Sequence, residues 1–396
     1  MSYKLPILTL KPKRERSLVQ RHPWVFSGAV ATTPAVKNGA MVAVHSADGK
    51  WLGYAFYSSQ SQITCRVFEL DNEQADPTTK AYWKSKFEQA LALRKQVVVS
   101  EDTNCYRLVN AEGDQLPGLI ADVYGPVVVA QVQSKGVQNH WPMWTEILRE
   151  LGYPYIYLQV KESNTRIEGV TLTNGWAGEE PAEKVVEVVE NGITFLVDVE
   201  NGQKTGFFLD QRDARALLGV YASGKKVLNT FSYTGGFSAY ALKAGATEVF
   251  SVDISKEAIN MCTRVVEVNA LPPTRHKGVV ADCFDYLKNA DDDFDIIVLD
   301  PPAFAKSAKS VPNATKGYKE LNLQAFKKIA PGGLLFTFSC SQHVDKELFR
   351  KVVFGAAADA RRHVRILYQT SQPPDHPISI YHPEGEYLKG LVLQVE

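Results

Sequence analysis

Apolar positions in the first 75 residues come in short runs, at 41–44, 51–56 and 63–68, divided by Asn38-Gly39, Asp48-Gly49 and a Ser/Gln stretch. Short runs rich in Val, Ile, Phe, Tyr and Trp predict strands. Asp48-Gly49 between two of them predicts a hairpin, because both residues tolerate positive φ. So many short strands close naturally into a small barrel. The polar stretch 71–77 reads as a linker. The period then lengthens: Trp83, Phe87, Ala90 and Leu91 fall on one face of a helix at 78–96. Strands at 106–109, 119–124, 127–132, 155–160 and 185–189, with a helix at 138–151, make an α+β middle domain. From residue 191 the pattern becomes strand–helix alternation. Strands are expected at 226–229, 248–253, 278–281, 294–300, 333–338, 364–368 and 390–395, with helices between most of them, such as 255–269 capped by Ser255. This alternation predicts a doubly wound, Rossmann-like α/β sheet. If the last two strands pair as a hairpin, the sheet is mixed and seven-stranded. The chain is thus expected to be a multidomain α/β protein divided at 1–75, 76–190 and 191–396.

Composition narrows this picture only modestly. A chain of 396 residues exceeds what one core usually holds. No apolar run approaches the ~18 residues of a membrane helix, and the first residues lack an apolar signal core, so a cytoplasmic protein with no membrane partner is expected. The five cysteines form no CxxC pair, which points to reduced thiols and away from a disulfide frame or metal site. A net charge of zero argues mildly against nucleic acid. The distribution argues for it: residues 1–75 carry nine Lys/Arg against five Asp/Glu, and residues 303–328 carry six Lys against one Glu.

Candidate chemistry gathers at the predicted strand ends, where open α/β sheets bind ligands. Gly235-Gly236 allows a tight turn after the first strand of the sheet. Asp253, Asp282 and Asp300 end three successive strands. Asp253 suits ribose hydroxyls, and Asp282 suits an adenine amino group. The glycine spacing is not G-x-G-x-x-G and no helix start faces a pyrophosphate, which disfavours NAD and favours S-adenosylmethionine. Asp300-Pro301-Pro302 and Cys340 end neighbouring strands. A thiolate adding to carbon-6 of cytosine activates carbon-5 for methylation, and this is covalent catalysis. Lys306 is the basic neighbour offered to lower the thiol pKa. Asp300 would hold the cytosine amino group, and Phe304 would stack on the base or pack in its loop. The other cysteines read as structural. An amino-directed methyltransferase built on Asp300-Pro301-Pro302, an NAD oxidoreductase and a non-catalytic RNA-binding protein remain as alternatives.

These residues resemble a known family. The stretch 227–238, Asp253, Asp300-Pro301-Pro302 and Ser339-Cys340-Ser341 are similar to motifs of class I methyltransferases, in the RNA 5-methylcytosine branch. The stretch 201–212 resembles that branch's first cofactor-contacting motif, 21–28 resembles the opening of a PUA RNA-binding domain, and 109–122 resembles a linking-domain signature. The resemblance implies S-adenosylmethionine-dependent cytosine C5 methylation of 23S ribosomal RNA. It implies cofactor contacts at Phe208, Asp210, Asn229, Phe231, Tyr233, Gly235, Asp253, Asp282 and Asp300, and catalysis by Cys340 with Asp300, Pro301 and Pro302. RNA contacts are expected at Lys13, Arg14, Arg16, Arg21, Phe304 and Lys306. A second cysteine common after the proline of this branch's Asp-Pro motif is missing, since Pro302 and Ala303 stand there, so the carbon-5 base is left unassigned. A second copy of the chain is a candidate partner.

Overall fold

The computed structural model describes residues 4–290 and 293–396, so the first three residues of the 1–75 domain lie outside it. Among these residues the chain forms two compact units: Met1–Val188 with Val197–Phe207 and Pro374–Gly385, and Val189–Leu196 with Phe208–Pro373 and Glu386–Glu396.

The first unit opens with six strands: β1 (Ile7–Leu10), β2 (Trp24–Phe26), β3 (Val30–Thr32), β4 (Met41–His45), β5 (Trp51–Tyr57) and β6 (Ile63–Glu69), with a one-turn helix α1 (Arg16–Val19) after the first. Their order is β2-β6-β5-β4-β1-β3. Edge strands β2 and β3 are consecutive, with only Ser27–Ala29 between them. That link spans about 14 Å at most, whereas the edges of a flat six-stranded sheet lie about 24 Å apart, so the sheet must curl toward closure. The Asp48-Gly49 turn joins β4 to β5, with Gly49 at φ +86°. Strands β1 to β3 were absent from the hydropathy pattern because each has only three or four residues and few buried positions.

Helix α2 (Lys80–Val97) is capped by Thr79, which accepts from the backbone of Tyr82. The strands that follow are β7 (Cys105–Asn110), β8 (Leu119–Tyr124), β9 (Val127–Val132), β10 (Tyr155–Gln159) and β11 (Gly175–Trp176), with helices α3 (Lys135–Glu150) and α4 (Glu162–Glu168). They order as β11-β10-β9-β8-β7. Phe56 and Phe68 of the first sheet lie 5.6 and 4.9 Å from the ring of Trp83, ring centre to ring centre. The two sheets of this unit therefore share one core, which the expected division at 75/76 did not anticipate. A hairpin of β12 (Val185–Glu190) and β13 (Ile193–Asp198) turns at Asn191-Gly192, both at positive φ.

The second unit holds a mixed seven-stranded sheet: β14 (Lys226–Thr230), β15 (Glu248–Asp253), β16 (His276–Val280), β17 (Phe294–Leu299), β18 (Ile329–Ser339), β19 (Val364–Thr370) and β20 (Lys389–Val395). The order is β16-β15-β14-β17-β18-β20-β19, and β20 runs antiparallel to both its neighbours. Helices α5 (Arg212–Tyr221), α6 (Gly236–Lys243), α7 (Lys256–Val268), α8 (Cys283–Asn289), α9 (Val311–Lys328) and α10 (Lys346–Ala360) accompany it. The order reverses between β14 and β17, the switch point at which such sheets bind ligands. Strands β19 and β20 pair as expected, but residues 371–388 separate them. Of these, Pro374–Gly385 belongs to the first unit, where Arg107 donates its backbone N–H to Asp375 and Asn110 donates to the Pro377 carbonyl. Such backbone docking leaves no hydropathy signature, so a single boundary at 190/191 could not reveal it. No helix among the described residues is long and apolar enough to cross a membrane.

Candidate active site

Between β14 and α6 the turn from Phe231 to Gly235 carries three residues at positive φ: Phe231 (+53°), Tyr233 (+47°) and Gly235 (+82°). Each non-glycine residue there costs about 1–3 kcal/mol, so the surroundings must impose the conformation. They do so through hydrogen bonds. Backbone N–H groups of Phe231, Ser232 and Tyr233 donate to the Cys283 sulfur (3.1 Å), the Val252 carbonyl (3.0 Å) and Asp253 Oδ2 (2.9 Å). Gly235 is packed so closely that a Cβ would sit 2.2 Å from Cys262 Sγ. Asn229 points inward and donates to Ser238 Oγ at 2.9 Å. Asn229 Oδ1, Ser232 Oγ and Thr234 Oγ1 are buried without a hydrogen-bond partner among the described residues. A strained, rigid turn with orphaned oxygens fits a polar ligand such as S-adenosylmethionine.

Both oxygens of Asp253 accept backbone N–H groups, from Tyr233 and Ser255, so this buried carboxylate shapes the turn. A carboxylate offers about four lone-pair sites, which leaves capacity for ribose hydroxyls. Asp282 is exposed and caps α8, with Oδ1 accepting from Phe284 and Asp285. Its strand ends at Val280, one residue short of the expected 278–281, so Asp282 follows the strand rather than ending it.

A second segment, Phe208 to Gln211, meets this turn. The Phe208 ring stands edge-on to Tyr233, ring centres 5.2 Å apart. Arg215 holds the segment by donating to the Phe208 carbonyl (2.8 Å), and Glu190 grips Arg215 through two bonds of 2.8 and 2.7 Å. Tyr387 donates to Asp210 (2.8 Å), and Gln211 donates to Asp300 (2.9 Å). Glu190, Arg215 and Tyr387 had no signal in the sequence, because their roles arise from pairing distant positions; Gln211 lies in the 201–212 stretch, but its bond to Asp300 was not foreseen.

Strands β17 and β18 pair in parallel with Leu299 beside Thr337, so Asp300 and Cys340 leave the same edge of the sheet. Pro301 is buried and Pro302 exposed. Cys340 is half-buried, its sulfur 3.9 Å from the Pro301 carbonyl. Ser341 Oγ accepts from the Ala305 backbone (3.0 Å) and shares a hydrogen bond with Tyr318 (2.9 Å), tying the two loops together. The remaining cysteines are buried. Burial pushes the thiols of Cys65, Cys262 and Cys283 up to about 12, 11 and 12. Phe304 packs against Tyr318 (4.7 Å between ring centres) and Phe284 (6.1 Å), which favours the packed-loop reading over base stacking.

The cation beside the thiol is not the one expected. Lys306 is exposed, whereas Lys389 is buried at the start of β20, directly opposite Ser339. The sequence reading began this strand at 390 and left the lysine outside. Lys389 Nζ donates to the carbonyls of Ser341 (2.6 Å) and Tyr387 (2.8 Å). Burial lowers its pKa to about 8, and a Cys340 thiolate raises it more than any other charge nearby does.

On the first unit, Lys13, Arg14 and Arg16 are exposed. Arg21 differs: it binds both oxygens of Asp71 at 2.7 and 2.8 Å and lies 5.5 Å from the ring centre of Tyr381. Its charge is thus answered within the protein as the structure stands.

Residues 8–70, covering all but the first residue of the six-stranded sheet, match the model of the PUA-like domain. Residues 167–378 match the model of the S-adenosylmethionine-dependent methyltransferases. The ribosomal RNA large subunit methyltransferase I of Aeromonas salmonicida is 42% identical over 388 residues, covering 96% of this chain and 97% of its own. Its counterpart in Pseudoalteromonas atlantica is 40% identical over 398 residues, covering 98% and 99%. The chain belongs to the ribosomal RNA large subunit methyltransferase I family. It is an S-adenosylmethionine-dependent methyltransferase, which removes the oxidoreductase reading. Among solved structures, a Streptococcus mutans protein described as a SAM-dependent methyltransferase superposes with a TM-score of 0.83 at 26% identity, covering 99% of this chain and 100% of the other. A methyltransferase solved in complex with SAH, also 26% identical, reaches 0.85 with the same coverage.

Proposed function

We propose that this methyltransferase modifies carbon-5 of a cytosine in 23S ribosomal RNA through a covalent bond from Cys340. The observation that carries the reading is Cys340 itself. It is the half-exposed cysteine of the chain and it ends the strand beside Asp300; its neighbour Ser339 pairs with β20, and Ser341 is bonded to the Ala305 backbone and to Tyr318. S-adenosylmethionine, when bound, supplies an electrophilic methyl group. Phe208, Asp210, Asn229, Phe231, Tyr233 and Gly235 would hold it, together with Asp253, Asp282 and Asp300. Cys340 adds as thiolate to carbon-6, and the displaced π electrons make carbon-5 nucleophilic. Carbon-5 would then take the methyl group as the sulfonium C–S bond breaks, leaving S-adenosylhomocysteine. Loss of the carbon-5 proton to a base then restores the double bond and expels the thiolate. Asp300, steadied by Gln211, accepts from the cytosine amino group, and the turn at Pro301 and Pro302 fixes its direction. The barrel of residues 1–75 docks RNA phosphates through Lys13, Arg14 and Arg16, and Lys306 does so near the reacting base.

The second reading, transfer to an exocyclic amino group at Asp300-Pro301-Pro302, rests on the same acidic turn. Incubation with labelled S-adenosylmethionine and an rRNA fragment containing 5-fluorocytosine separates the two. Fluorine cannot leave as a proton, so carbon-5 chemistry yields a denaturant-resistant protein–RNA adduct, absent in Cys340→Ala. Methyl transfer without an adduct, undiminished in Cys340→Ala, sinks the carbon-5 reading in favour of the amino-directed one.

A further inference from the structure

Lys389 is an anomaly in an apolar strand. Its ammonium is buried, yet among the described residues it forms no ion pair with a carboxylate, and its two hydrogen bonds go to neutral carbonyls. A buried charge without a counter-charge is expensive, and such groups are normally paired or neutralised. Antiparallel pairing sets Lys389 opposite Ser339, and the Ser341 carbonyl anchors Nζ, so residues on both sides of Cys340 fix the lysine.

We propose that Lys389 is the positioning residue that holds Cys340 as a thiolate, its buried ammonium supplying the counter-charge from the neighbouring strand. The inference rests on the assignment of Cys340 as nucleophile and deepens it. The other groups around the pair do not replace the lysine. Tyr318, on α9, feels the Cys340 charge, but its hydroxyl is engaged with Ser341 and is neutral at physiological pH, with burial raising its pKa further. Glu386 and Asp345 favour the lysine's charge, and Glu386 pairs with Lys346. Asp300, across the Pro301 turn, opposes a thiolate, so a cation is needed to outweigh it. The ammonium orients with one hydrogen left over from its two carbonyl bonds, since Nζ carries three.

The proton balance follows directly. Cys340 gives its proton to solvent before RNA arrives, and Lys389 keeps its own. When Sγ bonds to carbon-6 the thiolate charge passes into the ring, and it returns to sulfur on release, so the ammonium faces the same anion at both ends of the cycle. The pair exists only between the titration of the thiol and that of the lysine near pH 8.

The test is the pH dependence of Cys340 alkylation by iodoacetamide in the full chain without RNA, with the labelled cysteine identified by peptide mass. The other cysteines are buried and react little under native conditions. In the wild type the midpoint is expected at least one pH unit below the ordinary thiol value of about 8.5. Lys389→Met should return it to 8.5 or higher, slowing alkylation at pH 7 at least tenfold, and Lys389→Arg should keep it low. S-adenosylmethionine affinity and circular dichroism report folding in each variant. A wild-type midpoint at or above 8.5 overturns the proposal without reference to any variant, as does an unchanged midpoint in folded Lys389→Met. Because no RNA is present, this result is independent of the fluorocytosine adduct. A lysine-dependent thiolate with no adduct refutes the nucleophile, and an adduct with no lysine dependence refutes only the role of Lys389.

Discussion

At the scale of single residues, the cofactor turn depends on an atom that is missing. Gly235 combines φ +82° with a neighbour, Cys262 Sγ, lying 2.2 Å from where a Cβ would be. Gly235→Ala therefore incurs two separable costs: about 1–2 kcal/mol for a left-handed alanine and about 1–3 kcal/mol for overpacking. The expected result is a melting midpoint several degrees lower and S-adenosylmethionine affinity at least tenfold weaker by calorimetry. Adding Cys262→Ala removes the sulfur, leaving its Cβ at 3.1 Å and the backbone cost, so the double variant should recover part of the lost stability. If the single variant melts and binds like the wild type, the turn is not the rigid cradle described above. Cys262 is itself part of the support, meeting Ser251 at 3.5 Å and His276 at 3.4 Å, so the recovery is partial by construction.

At the scale of elements, the 208–211 segment is held by an ion pair buried on both sides. Glu190 is fully buried and Arg215 nearly so, and Tyr240 adds a hydrogen bond to the same carboxylate at 3.0 Å. Breaking such a pair strands a charge and costs about 3–5 kcal/mol, whereas replacing both members with apolar groups costs far less. Buried Arg212 also meets the Glu190 carboxylate, at 3.4 Å, so Glu190→Gln strands two guanidinium groups and should unfold the second unit at markedly lower denaturant; adding Arg215→Met leaves only Arg212 stranded and should restore part of the stability. Both should bind S-adenosylmethionine weakly: in the single variant Arg215 loses the carboxylate that orients it, and in the double variant its bond to the Phe208 carbonyl is gone. Equal stability of the single and double variants would show that the guanidinium tolerates losing its partner. This element also marks the limit of what could be read from sequence. The seven strands from Lys226 to Val395 were visible, most of them because their apolar runs are long and punctuated by acids and glycines; His276–Val280 has only two valines to mark it. The strands Ile7–Leu10, Trp24–Phe26 and Val30–Thr32 were hidden by their brevity. Asp300 and Cys340 were legible because a strand end is a local signal. Glu190, Arg215 and Tyr387 were not, since hydrogen bonds across many residues carry no periodicity. Lys389 was misjudged for a related reason: a lysine beginning a strand looks like a boundary, and only the register with Ser339 shows it to be inside.

At the scale of the whole molecule, a net charge of zero conceals a division of labour among the basic residues. Lys13, Arg14 and Arg16 are exposed on the first unit, while Arg21, a few residues on, is bound to Asp71. If the exposed three contact phosphates, each releases counterions on binding and contributes about 0.7–0.9 to the slope of log affinity against log salt. Reversing all three to glutamate should weaken RNA binding at low salt and flatten that slope by about 2, with cofactor affinity unchanged. Arg21→Glu is the matched control. It alters the charge equally per site but breaks an internal pair, so it should lower the melting midpoint slightly and, once corrected for folding, leave the slope nearly intact. A surface ion pair of this kind is worth at most about 1 kcal/mol, so the control remains folded. Filter binding across a salt series measures both variants at once. A slope unchanged by the triple reversal would remove the first unit's basic run from RNA recognition. A slope that falls as steeply for Arg21→Glu would mean that RNA competes successfully with Asp71 for its guanidinium. The docking surface would then extend from Lys13 through Arg21 toward Tyr381, on the segment that the methyltransferase sequence contributes to the first unit.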